Sequence, residues 1–219
     1  MREALTLARS LGDPLATARI LGFASGAATA IGAYAEGKLL AEECIAINRE
    51  TSDQFSIGVA LHTLGRVAHA QGQYAEARSR YEASLAIFEE LGDRWNRARA
   101  LSKLGHTLQA LGESGDAYRA FLAALETLRE VGALAREIDA VLGLALLLRD
   151  RGKVEQSAEL CLHVLHRVAE GSPVWGPARQ FWSELIAVLP EQQVTTIEER
   201  VRARPLEAAV AELLTPHAQ

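Results

Sequence analysis

The 219-residue chain is 49% hydrophobic and 23% charged, a balance that indicates a folded protein rather than a disordered one. Its formal net charge of −5 argues against a general nucleic-acid binder, because such proteins carry a basic face. The first residues lack the long apolar core of a secretory signal, and the longest uncharged apolar run, 140–148, is far shorter than the roughly 20 residues of a membrane helix. With only two cysteines, Cys44 and Cys161, we predict a cytoplasmic protein without disulfides, membrane contacts or nucleic-acid partners.

A period of 40 residues runs through the sequence, so that residues 61–93 align with residues 101–133. The coinciding residues are Gly65 with Gly105, Gly72 with Gly112, Gly92 with Gly132, Ala77 with Ala117, and Tyr81 with Phe121. A fixed period in this range predicts an array of repeats, each of which stacks on the next.

The array begins within a repeat, since residues 1–13 align with residues 41–53 at the same offset. We predict a half repeat at about 1–12, full repeats at about 13–52, 53–92, 93–132 and 133–172, and a degenerate repeat with capping helices over 173–219. A lone half repeat leaves one helix face uncovered. We therefore expect the chain to be a fragment of a longer protein, or to have lost upstream repeats.

Each full repeat is predicted to hold two helices. The first begins at an aspartate in three repeats (Asp13, Asp53 and Asp93), a residue that can cap the free N–H groups of a helix start, and glycines separate the helices. In chain order the predicted helices span about 1–10, 14–30, 34–50, 53–70, 74–90, 93–110, 114–130, 133–150, 153–169 and 173–189, and two short amphipathic helices separated by Pro205 follow Pro190.

Small residues recur at one register of the first helices, including Gly65 and Gly105, and at one register of the second helices, including Gly37. Since glycine in a helix interior costs about 1 kcal/mol relative to alanine, its recurrence indicates close helix crossings.

The C-terminal segment departs from the repeat pattern. Phe181, Leu185 and Val188 share one stripe of its first helix, and Trp175 and Trp182 lie two turns apart on the same helix. We expect the two tryptophans to form a hydrophobic cap, because a solenoid needs its end covered.

The residues Leu64-Gly65, Tyr74, Ala77 and Tyr81 resemble the pattern of the tetratricopeptide repeat. The resemblance implies an all-α, right-handed superhelical solenoid of stacked antiparallel helix pairs with C-terminal capping helices. Repeats of 40 residues are similar to the longer variety found in bacterial ATPase-type transcriptional regulators and in kinesin-light-chain-like scaffolds.

Enzyme signatures are missing from the sequence, which contains no phosphate-binding loop of the GxxxxGK[ST] type, no HExxH, no paired CxxC and no GxSxG. His163 and His166 lie three residues apart near Cys161, but two ligands do not close a zinc site. Cys44 and Cys161 occupy core-facing positions. We predict a protein without catalytic activity, cofactor or metal.

In tetratricopeptide arrays the first helices line a concave groove, and the resemblance implies which residues here would meet a partner. The groove positions that we single out are His62, Arg66, His69, Arg99, Ser102, Lys103, His106, Gln109 and Arg149. The middle of this groove is polar and basic, so it can attract an acidic peptide or protein segment, although the same residues could simply form the solvated side of the helices.

Two finer hypotheses concern this groove. Arg99 and Lys103 occupy the register of the two basic residues of the carboxylate clamp that binds chaperone tails, but Gly22, Gly26 and Thr63 stand where that clamp needs a lysine and two asparagines. His62, Arg66 and His69, together with His106 on the next first helix, could form an anion site that responds to pH.

The sequence as a whole predicts a non-catalytic scaffold that binds a peptide or protein segment in the groove. The alternative is a sensor or assembly region of a larger bacterial ATP-dependent transcriptional regulator. Because the first half repeat lacks its partner helix, the chain could also self-associate through exposed ends of the array.

Overall fold

The computed structural model describes residues 2–133 and 138–215. These residues form twelve α-helices and contain no strand. In chain order the helices are α1 (Arg2–Ser10), α2 (Pro14–Ala30), α3 (Tyr34–Thr51), α4 (Gln54–Ala70), α5 (Tyr74–Glu90), α6 (Arg94–Ala110), α7 (Ser114–Glu130), α8 (Ile138–Asp150), α9 (Val154–Leu165), α10 (Trp175–Ile186), α11 (Glu191–Ala203) and α12 (Leu206–Leu214). The predicted all-α class is confirmed, and most predicted bounds agree with the observed ones within about one or two residues.

Aspartates and glycines set the ends of the repeated helices. The Asp13 and Asp93 carboxylates each accept a hydrogen bond from the backbone N–H three residues ahead, at 2.9 Å, and Asp53 does so at 3.4 Å. The glycines of the turns have positive φ values near +64° to +83°. Ser52 stands where the period would place another glycine, and it adopts the same left-handed conformation at φ 57°.

Residues 1–112 form one compact unit, in which α1 to α6 pack consecutively. The first helices α2, α4 and α6 also contact one another in sequence, α2 with α4 and α4 with α6. The second helices supply the large core side chains Tyr81 and Phe88, both almost fully buried. Stacked helix pairs of this kind place the first helices of neighbouring repeats side by side.

Close helix crossings occur at Gly37 and Gly65, as their recurrence predicts. A Cβ atom added at Gly65 would lie 2.7 Å from the Tyr81 ring, and one at Gly37 would lie 2.3 Å from Thr29 Oγ1 and 3.1 Å from the Ser25 carbonyl oxygen. A side chain larger than hydrogen at either position would therefore force the neighbouring helix away.

Residues 113–219 form a second compact unit. In this unit α8 packs on α7 and α9, and α10 packs on α9. The C-terminal helix α11 also packs on α9, and α12 contacts both α7 and α9. As a result residues 157–164 of α9 are buried on every side.

The second unit differs from the predicted helices at two places, and a third predicted segment lies outside the described residues. The helix predicted over about 153–169 ends at Leu165, because residues 166 and 167 are exposed and offer no apolar stripe to bury. The predicted stripe contains Phe181 and Leu185, but Val188 is 70% exposed because α10 ends at Ile186. Residues 134–137, where the predicted helix 133–150 begins, lie outside the described residues.

Among the described helices, none combines the length and apolar character that crossing a membrane would need.

Candidate functional site

Most of the predicted groove residues lie on two neighbouring helices of the first unit. Arg66 and His69 project from α4, while Arg99, Lys103, His106 and Gln109 project from α6. All six side chains are partly exposed. We call the surface formed by these six residues the α4–α6 face.

His62 is not part of the exposed surface, because its side chain is buried with only 6% exposure. Its ring stands edge-on to the Tyr81 ring at a centroid distance of 5.5 Å. No described residue forms a hydrogen bond with its Nε2 atom. His62 therefore belongs to the core beneath the α4–α6 face rather than to the face itself.

Three cations converge on the buried His62 ring. Burial lowers the pKa of His62 well below its usual value of 6.5, and the positive charges of Arg99, Arg66 and Lys103 lower it further. Both effects favour the neutral form of the ring. This direction works against the hypothesis that His62 responds to pH, and that hypothesis stays a prediction.

Ser102 is also buried, with no exposed surface, so it cannot meet a partner directly. His69, by contrast, connects the two helices: its Nδ1 atom lies 3.0 Å from Thr107 Oγ1 of α6, and its ring stands edge-on to Tyr74 at 5.2 Å. The Thr107 hydroxyl also donates to the Lys103 carbonyl oxygen at 2.9 Å. These contacts fix α4 against α6 beneath the basic side chains.

The arginines of the face form further contacts. Arg99 Nη1 donates to Asn96 Oδ1 at 3.0 Å, and Arg66 Nη1 reaches the Gly26 carbonyl oxygen of α2 at 3.5 Å. Arg66 thus extends from α4 towards α2.

The α2 end of the predicted groove differs from a carboxylate clamp. At Gly22 an added Cβ would be in ordinary contact with Cys44 Sγ and Val59, at 3.7 Å. Arg19 lies beside Gly22 and forms an ion pair with Asp53 at 3.0 Å. Glycines at positions 22 and 26 supply no side-chain donor, so the clamp interpretation gains no support here.

Arg149 lies in the second unit, on α8. It forms ion pairs with Asp150 at 2.9 Å and with Glu184 of α10 at 3.4 Å, and its guanidinium lies 5.0 Å from the centre of the Phe181 ring. Its charge is shared with two carboxylates of its own unit.

The sequence analysis missed a buried ion cluster in the second unit. The Glu159 carboxylate, only 4% exposed, accepts hydrogen bonds from Arg200 Nη1 at 3.0 Å and Arg204 Nε at 2.7 Å. Arg204 also pairs with Glu212 at 2.7 Å. The sequence signals that could have revealed it are a glutamate inside the apolar run of α9 and two arginines four residues apart, Arg200 on α11 and Arg204 directly after its end.

The histidine and cysteine positions considered for a metal do not converge. His163 is buried while His166 is exposed, and in the described part of the chain no group of three metal-binding side chains occurs. Cys161 Sγ donates to the Ala178 carbonyl oxygen at 3.3 Å, and burial raises its pKa to about 12. Both cysteines are buried free thiols.

Comparison with known proteins identifies the repeats. Residues 56–130 match the family model of the tetratricopeptide repeat. Residues 56–130 therefore contain tetratricopeptide repeats. Proteins of this family generally mediate protein–protein interactions. No curated protein matches the sequence.

Solved tetratricopeptide-type structures share the fold at low sequence identity. The crystal structure of BtubC (BKLC) from P. vanneervenii has a TM-score of 0.69 and 17% identity, and the match covers 100% of this chain and 92% of that chain. Two crystal structures of nearly identical TPR-like repeats of a putative kinesin light chain from Podosopora anserina have TM-scores of 0.60 and 0.59 and identities of 20% and 19%. They cover 84% and 91% of this chain, and 92% and 97% of theirs.

These similarities support the long-repeat scaffold interpretation at the level of the fold. None of the three structures is of a transcriptional regulator, so the alternative of a sensor region in an ATP-dependent regulator gains no support from them.

Proposed function

We propose that the chain is a non-catalytic interaction scaffold that binds an acidic segment of a partner protein on the α4–α6 face. The observation that supports this proposal is that the positive charges of Arg66 on α4 and of Arg99 and Lys103 on α6 all act on the same buried ring, that of His62. These positive charges come from two neighbouring repeats, although the chain as a whole has a net charge of −5. A local positive surface on an acidic protein favours an acidic ligand and accelerates its association.

The helices that carry the basic side chains are already packed together in the absence of a ligand. The contact between His69 and Thr107 joins α4 to α6, and Gly65 allows α4 to approach Tyr81 closely. Because these helices need not be ordered on binding, a partner segment loses less free energy to ordering the complex. His62 supports the surface from below without contributing charge.

Peptide binding tests the proposal. Fluorescently labelled acidic peptides should bind the full chain, and Arg66→Glu should weaken that binding by about tenfold or more because it replaces an attractive charge with a repulsive one. The affinity should also fall as salt is raised, since the side chains are partly exposed.

The matched control is Arg80→Glu on the second helix α5. Arg80 is partly exposed and pairs with Glu76 at 3.2 Å, so its reversal changes the net charge equally at a different place. Equal loss of peptide binding in Arg80→Glu and Arg66→Glu would show that net charge, rather than the α4–α6 face, determines affinity. Unchanged binding by Arg66→Glu would refute the proposed site.

A further inference from the structure

A cleft of about 200 Å³ lies in the second unit between α9 and the C-terminal helices α11 and α12. One wall carries Glu155 and Gln156 from the first turns of α9, and the opposite wall carries Glu212 and Leu213 from α12. Its volume is smaller than that of sites for drug-sized ligands, so its occupant is the size of a single side chain.

The charges that line the cleft leave it negative. Arg200 and Arg204 both donate to the buried Glu159, and Arg204 also pairs with Glu212. With Glu155 at the rim, three carboxylates face two guanidinium groups, which leaves one net negative charge. The cleft therefore favours a cation, and its two arginines are already held by carboxylates of the protein itself.

The cleft also offers an apolar surface and an unused acceptor. Leu160, Ala209 and Leu213 belong to its lining, and Leu213 is partly exposed while Leu160 and Ala209 are almost fully buried. Gln156 Oε1 is buried and accepts no hydrogen bond from any residue that the structure describes. A buried acceptor without a donor is costly, so Gln156 would gain by turning towards a ligand that brings one.

We propose that this cleft binds an alkylammonium group, the chemistry of a lysine side chain. The aliphatic stem would lie against Leu160 and Leu213, and the ammonium would donate to Glu155 and Gln156. An ammonium suits the space better than a guanidinium, because it is a compact charge on a flexible apolar stem. This site lies on α9, α11 and α12 and is independent of the α4–α6 face.

Titration calorimetry or NMR of the full chain tests the assignment with three probes. The probes are Nα-acetyl-lysine methylamide, the free diamine cadaverine, and Nα-acetyl-norleucine methylamide, which keeps the stem but lacks the charge. We expect the lysine probe to bind with a dissociation constant of about millimolar, and the norleucine probe to bind at least about tenfold more weakly. If cadaverine binds and the lysine probe does not, the site binds free amines rather than lysine side chains, and the ammonium recognition that we propose still holds.

Variants locate the binding. Glu155→Gln should weaken the lysine probe by about five- to tenfold, and Gln156→Leu should weaken it as well. Glu126→Gln, an exposed change on α7 away from the cleft lining, should leave it unchanged. No binding of either amine up to about 10 mM, equal binding of the norleucine probe, or full binding by folded Glu155→Gln would each overturn the proposal.

Discussion

Two helix glycines of the first unit differ in the space that an added Cβ atom would find. Gly65 of α4 lies against the Tyr81 ring, where an added Cβ would come within 2.7 Å of it. Gly26 of α2 has room, since an added Cβ would be 4.0 Å from its nearest neighbour, Thr63 Oγ1. The first glycine is required by packing and the second is not.

Alanine substitution should separate these two cases. Gly65→Ala should lower the free energy of unfolding by about 1–3 kcal/mol, because the Tyr81 ring must move. Gly26→Ala should raise it by about 0.5–1 kcal/mol, because alanine favours the helix and meets no clash. Urea unfolding measures both, and a stabilising Gly65→Ala would show that the crossing is looser than the structure indicates.

A buried histidine makes stability depend on pH. Burial, with the Arg167 charge beside it, lowers the pKa of His163 from 6.5 to about 4; nearby Glu159 opposes this shift, while Arg204 and His166 add to it. Because the unfolded chain binds this proton more readily, the stabilisation is complete above about pH 6.5 and is lost as the pH falls towards 4. We expect the titration of His163 alone to lower the free energy of unfolding by about 1–2 kcal/mol between pH 7 and pH 5.

The pH dependence can be measured by urea unfolding at both pH values. His163→Leu should lose less stability between pH 7 and pH 5 than the wild type, and the exposed neighbour His166→Ala should behave like the wild type. An identical pH dependence in wild type and His163→Leu would contradict the assignment, and His62 would then be the residue to examine.

Residue burial was the part that the sequence predicted least well. The register placed His62 beside Arg66, and Ser102 beside Arg99 and His106, because residues three and four apart share a helix face. Which of them is exposed depends on the neighbouring helices, and Tyr81 of α5 covers His62. That contact involves a residue 19 positions further along the chain, so helical spacing within α4 does not reveal it.

At the scale of elements, the helices and their ends followed from local chemistry. Asp13, Asp53 and Asp93 cap the first helices as their spacing predicts, since capping requires only residues close in sequence. The surroundings of α9 could not be predicted from local sequence, because α11 and α12 lie outside the repeat pattern. These helices bury Glu159 together with Arg200 and Arg204.

The Glu159 cluster should hold the C-terminal helices in place. Glu159→Gln keeps the shape of the side chain but leaves Arg200 and Arg204 without their carboxylate, so we expect a loss of about 1–3 kcal/mol in the free energy of unfolding. Hydrogen exchange should rise first in α11 and α12, whose attachment to α9 depends on this contact.

The control for this prediction is Glu207→Gln. Glu207 forms a more exposed ion pair with Arg167 at 3.8 Å, so its loss should change stability by less than about 0.5 kcal/mol. Equal effects of the two substitutions would mean that the buried cluster contributes no more than a surface pair.

At the scale of the whole molecule, the 40-residue period was sufficient to predict the stacked helix pairs, and the motif residues within it carried the resemblance to the tetratricopeptide repeat. Repeat period, helix ends and small residues at crossings all indicated one architecture, and such agreement across levels is what specifies a fold. The period does not encode a partner, because residues that vary between repeats form the exposed surface. The α4–α6 face therefore remains a proposal that rests on its charge.

Affinity capture from the native cell with quantitative mass spectrometry tests that proposal most directly. The comparison is between the wild-type chain, the Arg66→Glu/Lys103→Glu double variant, and the charge-matched Arg78→Glu/Arg80→Glu double variant of α5. The proposal predicts that partners of the wild type are lost from the first variant and retained by the second. Retention of the same partners by Arg66→Glu/Lys103→Glu would contradict binding at the α4–α6 face.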